Sequence, residues 1–136
     1  MKDNLERFKI KQKTYHKIAY DELLRGEKQS HWMWFIFPQI KGLGFSSTSI
    51  YYSINGKEEA MDYINDEYLM NNYIELCEVL LKLKTSNSVE VFGSIDSMKL
   101  HSSLTLFYTF TKNNIIKSVI DKYFNGELDR NTLDLI

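Results

Sequence analysis

The run WMWFIFP, Trp32 to Pro38, sets two tryptophans, two phenylalanines, a methionine, an isoleucine and the chain's only proline side by side. Coiled or extended, it is apolar on every face, so it has to be covered from more than one side. That requirement constrains everything else: the flanking sequence must supply amphipathic elements that wrap around it. A short helix capped by Ser30 and running from His31 to Phe37 is one form, because Pro38 does not block a helix upstream of itself. A buried strand is the other. A lone strand has no partner for its backbone, so a helical context favours the helix.

That context is helical. Leu5, Phe8, Tyr15, Ile18, Ala19 and Leu23 recur at helical spacing, with Asp3 or Asn4 as a start signal and Gly26 as a stop. Past the turn at Gly42 and Gly44, SSTSIYYSI can open a short serine-capped helix that ends at Asn55-Gly56. KEEAMDYIND reads as a further helix, and Leu69, Tyr73, Leu76, Cys77, Leu80 and Leu83 mark a strongly periodic one. VEVFG is the best strand candidate, but it is short and unpaired and reads as extended chain or one helical turn. A long helix starts at Ser94 or Asp96 and reaches Thr111, NNIIKSVIDKYFNG gives the next, and Asp129 caps RNTLDLI. With 136 residues and no repeat or linker, the expected fold is all-α, a single multi-helix domain over residues 1–136 around a buried aromatic segment.

Charge and cysteine content remove several classes of function. Seventeen basic against eighteen acidic residues leave a formal net charge of -1, so no whole-molecule attraction to nucleic acid or anionic lipid is expected. KIKQK in the first helix is basic, yet Asp3, Glu6, Asp21 and Glu22 bracket it, which reads as a solvated face. Cys77 stands alone, excluding an internal disulfide and a cysteine-based zinc site, and a reducing cytoplasm is the default location. The charged start MKDNLERFKIKQK lacks a signal-peptide core, and the longest apolar run is too short for a bilayer, so no membrane partner is expected. Histidines at 16, 31 and 101 show no metal-ligand spacing, and neither a nucleophile elbow nor a nucleotide fingerprint is present; no metal or cofactor is expected.

Three groups of residues are candidates for chemistry. At roughly 100° per residue, Asp96, Lys99 and Ser103 share an arc with Leu106, Phe107 and Phe110, while Ser97, His101, Thr105 and Thr109 lie toward the other side. Polar groups on an inward stripe must be paired with one another or face a wet cleft. In the structural alternative Asp96 caps the helix, Lys99 pairs with it and Ser103 bonds back to the backbone. In the functional one, ammonium, carboxylate and hydroxyl line a pocket for an anionic small molecule. His31 heads the aromatic run, where a helix start would keep its ring neutral and able to accept a proton near neutrality; a satisfied structural histidine is the alternative. Gln39 is an amide at the mouth of the apolar segment, and Gly42, Gly44 and Ser46 give an anion site or an ordinary glycine turn with serine caps.

The runs HWMWFIFPQIKGLGFSSTS, EEAMDYI, VFGSIDSMKLHSSLTLF and DKYFNGELDRNTLDLI together resemble the bacterial family catalogued as domain of unknown function 1810, over nearly the whole chain. The resemblance implies one compact, mainly helical domain and no established activity. Its signature positions match His31, Trp32, Trp34, Phe37, Pro38, Gln39, Gly42, Gly44, Asp96, Lys99, Ser102 and Ser103, and His101 stands where the pattern has arginine. Two functional expectations follow. The first is a small-molecule site, a hydrolase or group-transfer enzyme in its active form, acting on a nucleotide-like or phosphorylated ligand. There Lys99, Gln39, Gly42, Gly44, Ser46 and Ser103 bind, while His31 or Asp96 moves a proton. The second is a non-catalytic protein-interaction or regulatory module whose motif residues are structural.

Overall fold

The apolar run is covered on all sides, and helices do the covering. The computed structural model describes residues 5–136; the candidate start signals Asp3 and Asn4 lie outside the described residues. Helix α1 (Glu6–Leu24) ends at Arg25 and at Gly26, whose φ of 81° favours glycine. Helix α2 (Met33–Ile36) is shorter than the sequence suggests. Trp32 takes the N-cap position, and Phe37 leaves helical geometry just before Pro38, where a proline disfavours it. Trp32 and Phe37 are fully buried, Met33, Phe35, Ile36 and Pro38 nearly so, and Trp34 alone in the run is half-buried.

Ser30 does not cap α2. Its hydroxyl donates to the Glu22 carboxylate, which also accepts from the N–H groups of Gln29 (2.8 Å) and Ser30 (3.0 Å) and from Trp32 Nε1 (2.9 Å). Glu22 therefore belongs to the interior, at 4% exposure, and not to the solvated face that its neighbours in sequence suggest. One carboxylate folds the chain back on itself after α1 and seats the first tryptophan. Gln12 of KIKQK is buried too, donating to Phe35 O (2.8 Å) and to the Tyr63 hydroxyl (3.1 Å). Both are polar hubs that satisfy donors and acceptors around the aromatic segment, and neither interrupts the apolar periodicity of α1.

Short helices follow where the sequence provides caps: α3 (Ser47–Tyr51), α4 (Lys57–Asn65), α5 (Glu67–Lys82) and α6 (Ser88–Phe92). The strand candidate VEVFG is α6. Asn87 Oδ1 accepts from the N–H groups of Val89 and Glu90, and this cap prevails over the β-preference of two valines that have no strand to pair with. Helix α7 (Ser94–Thr111), α8 (Asn114–Phe124), capped by Asn113, and α9 (Arg130–Leu133), capped by Asp129, complete the fold. It is a single compact all-α domain, and among the described residues no helix is long and apolar enough to cross a membrane.

Helix α7 is the hub, packing against α2, α4, α6, α8 and α9. Being wrapped on several sides, it buries Ser97, Ser103 and Thr105 although they lie on different arcs. The described residues contain one isolated parallel bridge, Ile40 to Ile54, closed by Lys41 N–H to Ile54 O and Ile54 N–H to Gln39 O, both 2.8 Å. That bridge pins the ends of the loop carrying Gly42, Gly44 and α3 and holds it beside α7.

Candidate functional site

A cleft of about 260 Å³ opens between this loop, the exposed side of α7 and the start of α9. From the loop come Gln39, Leu43, Gly44 and Ser49; from α7 come Ile95, Met98, Lys99, His101 and Ser102; from the approach to α9 come Asp129 and Asn131. The α7 residues at 95, 98, 99 and 102 follow the helical repeat, so one stripe of the helix forms the floor. Of the expected site residues, Gln39, Gly44 and Lys99 meet here.

Asp96 borders the cleft without lining it. Its carboxylate is held 2.9 Å from Lys28 Nζ and 3.8 Å from Lys99 Nζ, an ion pair shared by two lysines. Asp96 is not the cap of α7, a position held by Gly93. Lys28, which sequence patterns gave no reason to single out, also donates to Ser30 O (2.6 Å) and ties the Glu22 hub to the wall of the cleft. Lys99 lies over the half-buried Trp34 ring at 4.9 Å, a cation–π contact.

Four expected residues are elsewhere. His31 is exposed, one residue ahead of the α2 cap, and does not line the cleft. Ser103 is fully buried and bonded to the Tyr73 hydroxyl at 2.8 Å, a core contact one step around the helix from the floor. Gly42 has a φ of 113°, and a Cβ there would meet the Leu135 side chain at 3.2 Å, so its role is packing against the C-terminal turn. Ser46 is exposed and caps α3, accepting from Ser49 N–H (3.1 Å) and donating to Ser49 Oγ (2.9 Å). Ser46 thereby positions Ser49, whose side chain is on the wall of the cleft.

On the opposite wall, Asp129 Oδ2 accepts from Ser102 Oγ (3.2 Å), Thr132 N–H (3.1 Å) and Thr132 Oγ1 (2.6 Å). No bond from the described residues reaches Oδ1. His101 is stacked flat on Phe124, with centroids 4.1 Å apart, and its Nε2 donates to Glu127 O at 2.7 Å. In the neutral ring this fixes Nδ1 as the acceptor. His101 is thus half-buried and oriented, not the solvated residue that the helical arc suggested. Among the described residues no cluster of three or more His, Cys, Asp or Glu side chains has metal-holding geometry.

The family model described as "Protein of unknown function (DUF1810)" matches residues 2–136. The chain belongs to this family. A solved structure, that of the conserved hypothetical protein Rv1873 from Mycobacterium tuberculosis, is 36% identical with a TM-score of 0.94, over 98% of this chain and 96% of that one. No curated protein matches the chain. For this DUF1810 member the loop glycines distinguish fold from site. A Cβ on Gly44 would lie 2.7 Å from Ser49 Cβ and 2.8 Å from its Oγ, both anchored on α3. Gly44→Ala is therefore expected to cost about 1–3 kcal/mol by overpacking. Urea denaturation measures it, and an unchanged midpoint would mean that the loop and α3 are not held in this contact.

Proposed function

We propose that the cleft binds a small anionic metabolite, a phosphorylated or nucleotide-like compound, with hydrolysis or group transfer as the reaction class of an enzymatic form. The carrying observation is the set of donors on one side of it. Among the described residues the Lys99 ammonium pairs with one carboxylate, Asp96, which it shares with Lys28, and the Gln39 amide and the Ser49 hydroxyl stand on the same loop wall. Two cations around one carboxylate leave a surplus positive charge at that end, where an anion gains most. The volume equals roughly nine waters of liquid, which suits a phosphorylated small metabolite, whereas a whole nucleotide would extend beyond the cleft. In an enzyme, His101 and Asp129 are the groups in the cleft suited to moving a proton.

A thermal-shift series with inorganic phosphate, sugar phosphates and nucleotides tests this. Ligand-dependent stabilisation is expected in wild type and in His31→Ala, whose side chain is outside the cleft, and is expected to vanish in Lys99→Met, which keeps its packing on Trp34. A ligand at a hundred times its Kd adds about 2.7 kcal/mol, a readable shift. Equal shifts in wild type and Lys99→Met would refute the assignment. Exposed Phe45 (84%), Ile95 (70%) and Met98 (70%) favour a second reading, a protein-interaction module, which a wholly flat ligand series would support.

A further inference from the structure

The charged side chains that line the cleft are one cation and one anion, Lys99 and Asp129, and they do not pair with each other. Asp129 has no ion-pair partner among the described residues. Its Oδ2 is saturated by Ser102 and Thr132, while Oδ1 accepts nothing from them. The cap of α9 accounts for Oδ2, and Oδ1 is the part of this half-buried carboxylate left to accept from a ligand in the cleft. His101, next to Ser102 on α7, adds an acceptor on the same wall, because its Nε2 is committed to Glu127 O. Acceptors therefore gather at the α9 side and donors at the loop side.

The separation is set by the helix. Lys99 reaches back toward Asp96, and Asp129 docks on Ser102; six residues of α helix place these two anchor points roughly 9 Å apart along the axis. Between them the floor is apolar, Ile95 and Met98, with Leu43 opposite. A purely anionic ligand would satisfy the Lys99 end and place its remainder against an uncompensated carboxylate.

We propose that the ligand is bifunctional: a small molecule carrying an anionic group for Lys99 and a protonated amine for Asp129 Oδ1, joined by a short apolar spacer. This rests on the anion-binding reading of the cleft and goes beyond it by naming the second group and its position. A protonated amine at Asp129 donates a charge-assisted hydrogen bond to the Oδ1 of the carboxylate, on the wall of the cleft that His101 also lines.

Calorimetric titration with matched pairs of phosphate monoesters tests it: ω-aminoalkyl phosphates with two to five carbons, each against the alkyl phosphate lacking the amine. The amine is expected to improve affinity by about tenfold or more at the best spacer length, the worth of a hydrogen bond to a charged group. In Asp129→Asn that advantage is expected to disappear while the alkyl phosphates bind as before. Asparagine is as good an N-cap as aspartate, so α9 keeps its start and the melting temperature should hold. Alkyl phosphates that bind through Lys99 with no gain from the amine would overturn the bifunctional ligand and leave the anion site standing. If no compound of either series binds, both fall. An amine advantage that persists in Asp129→Asn also overturns the assignment, because the amine would then be held elsewhere.

Discussion

Glu22→Ala is expected to lower the stability of the protein by at least about 3 kcal/mol, on the order of 10 °C in Tm for a chain of this size. The loss comes from four donors at once: two backbone N–H groups, the Ser30 hydroxyl and Trp32 Nε1 all end on this carboxylate, in a site only 4% exposed. The same geometry sets a pH dependence. Burial alone would raise the Glu22 carboxyl, but the hydrogen bonds from Ser30 Oγ, the Ser30 and Gln29 amides and Trp32 Nε1 outweigh it and bring the group from 4.5 down to about 2. A carboxyl depressed on folding stabilises the native state above its unfolded value and loses that contribution as pH falls through its folded one. Here the contribution is about 3 kcal/mol above pH 5, declining toward pH 2. Glu22→Gln, which keeps the shape without the charge, should therefore lie well below wild type at pH 7 and approach it only toward pH 2. Urea titrations of the two proteins across that range measure the difference, and a gap independent of pH would rule out the carboxylate as the stabilising group.

The contrast between Glu22 and its sequence context shows where patterns stop being informative. Periodicity finds α1, α5 and α8 because each presents one apolar stripe to one side, and capping residues find α3 and α9 because Ser46 and Asp129 bond to amides three residues away. Those are local relations. Glu22, Gln12 and Lys28 look like surface charges or amides in a polar stretch, and only the return of the chain after α1 brings Trp32, Phe35 and Asp96 to them. A helical arc likewise separates α7 into one inside and one outside, whereas five helices pack around α7 and leave the stripe of Ile95 and Met98 well exposed. Ser103 is inward as its arc requires, but inward there means the Tyr73 hydroxyl, whereas the cleft is reached from the stripe of Lys99 and Ser102 one step around. Gln39 and Gly44 line the cleft because they follow the apolar run into the loop that the Ile40–Ile54 bridge holds beside α7, and Lys99 lines it from the helix on which its arc placed it. Asp129 was legible as a cap, and nothing local distinguishes a cap that also leaves one oxygen to a cleft.

Phe37→Ala should rank beside Glu22→Ala among single substitutions, at about 3–5 kcal/mol. Its ring is fully buried, with centroids 5.3 Å from Tyr73, 6.2 Å from Phe92 and 6.3 Å from Trp32, so truncation leaves a cavity walled by three rigid aromatics that have little freedom to collapse into it. Phe37→Leu retains most of the volume and is expected to cost under about 1.5 kcal/mol. Trp34, three residues earlier in the same run, is half-buried and carries Lys99 on its face, so Trp34→Ala is expected to cost less in stability than Phe37→Ala although the side chain removed is larger. Its loss should instead weaken phosphate binding, since Lys99 no longer has a surface to rest on. Denaturation midpoints and phosphate affinities measured on the three variants separate the two roles. The assignment fails if Trp34→Ala proves the more destabilising or if Phe37→Leu is the variant that loses the ligand.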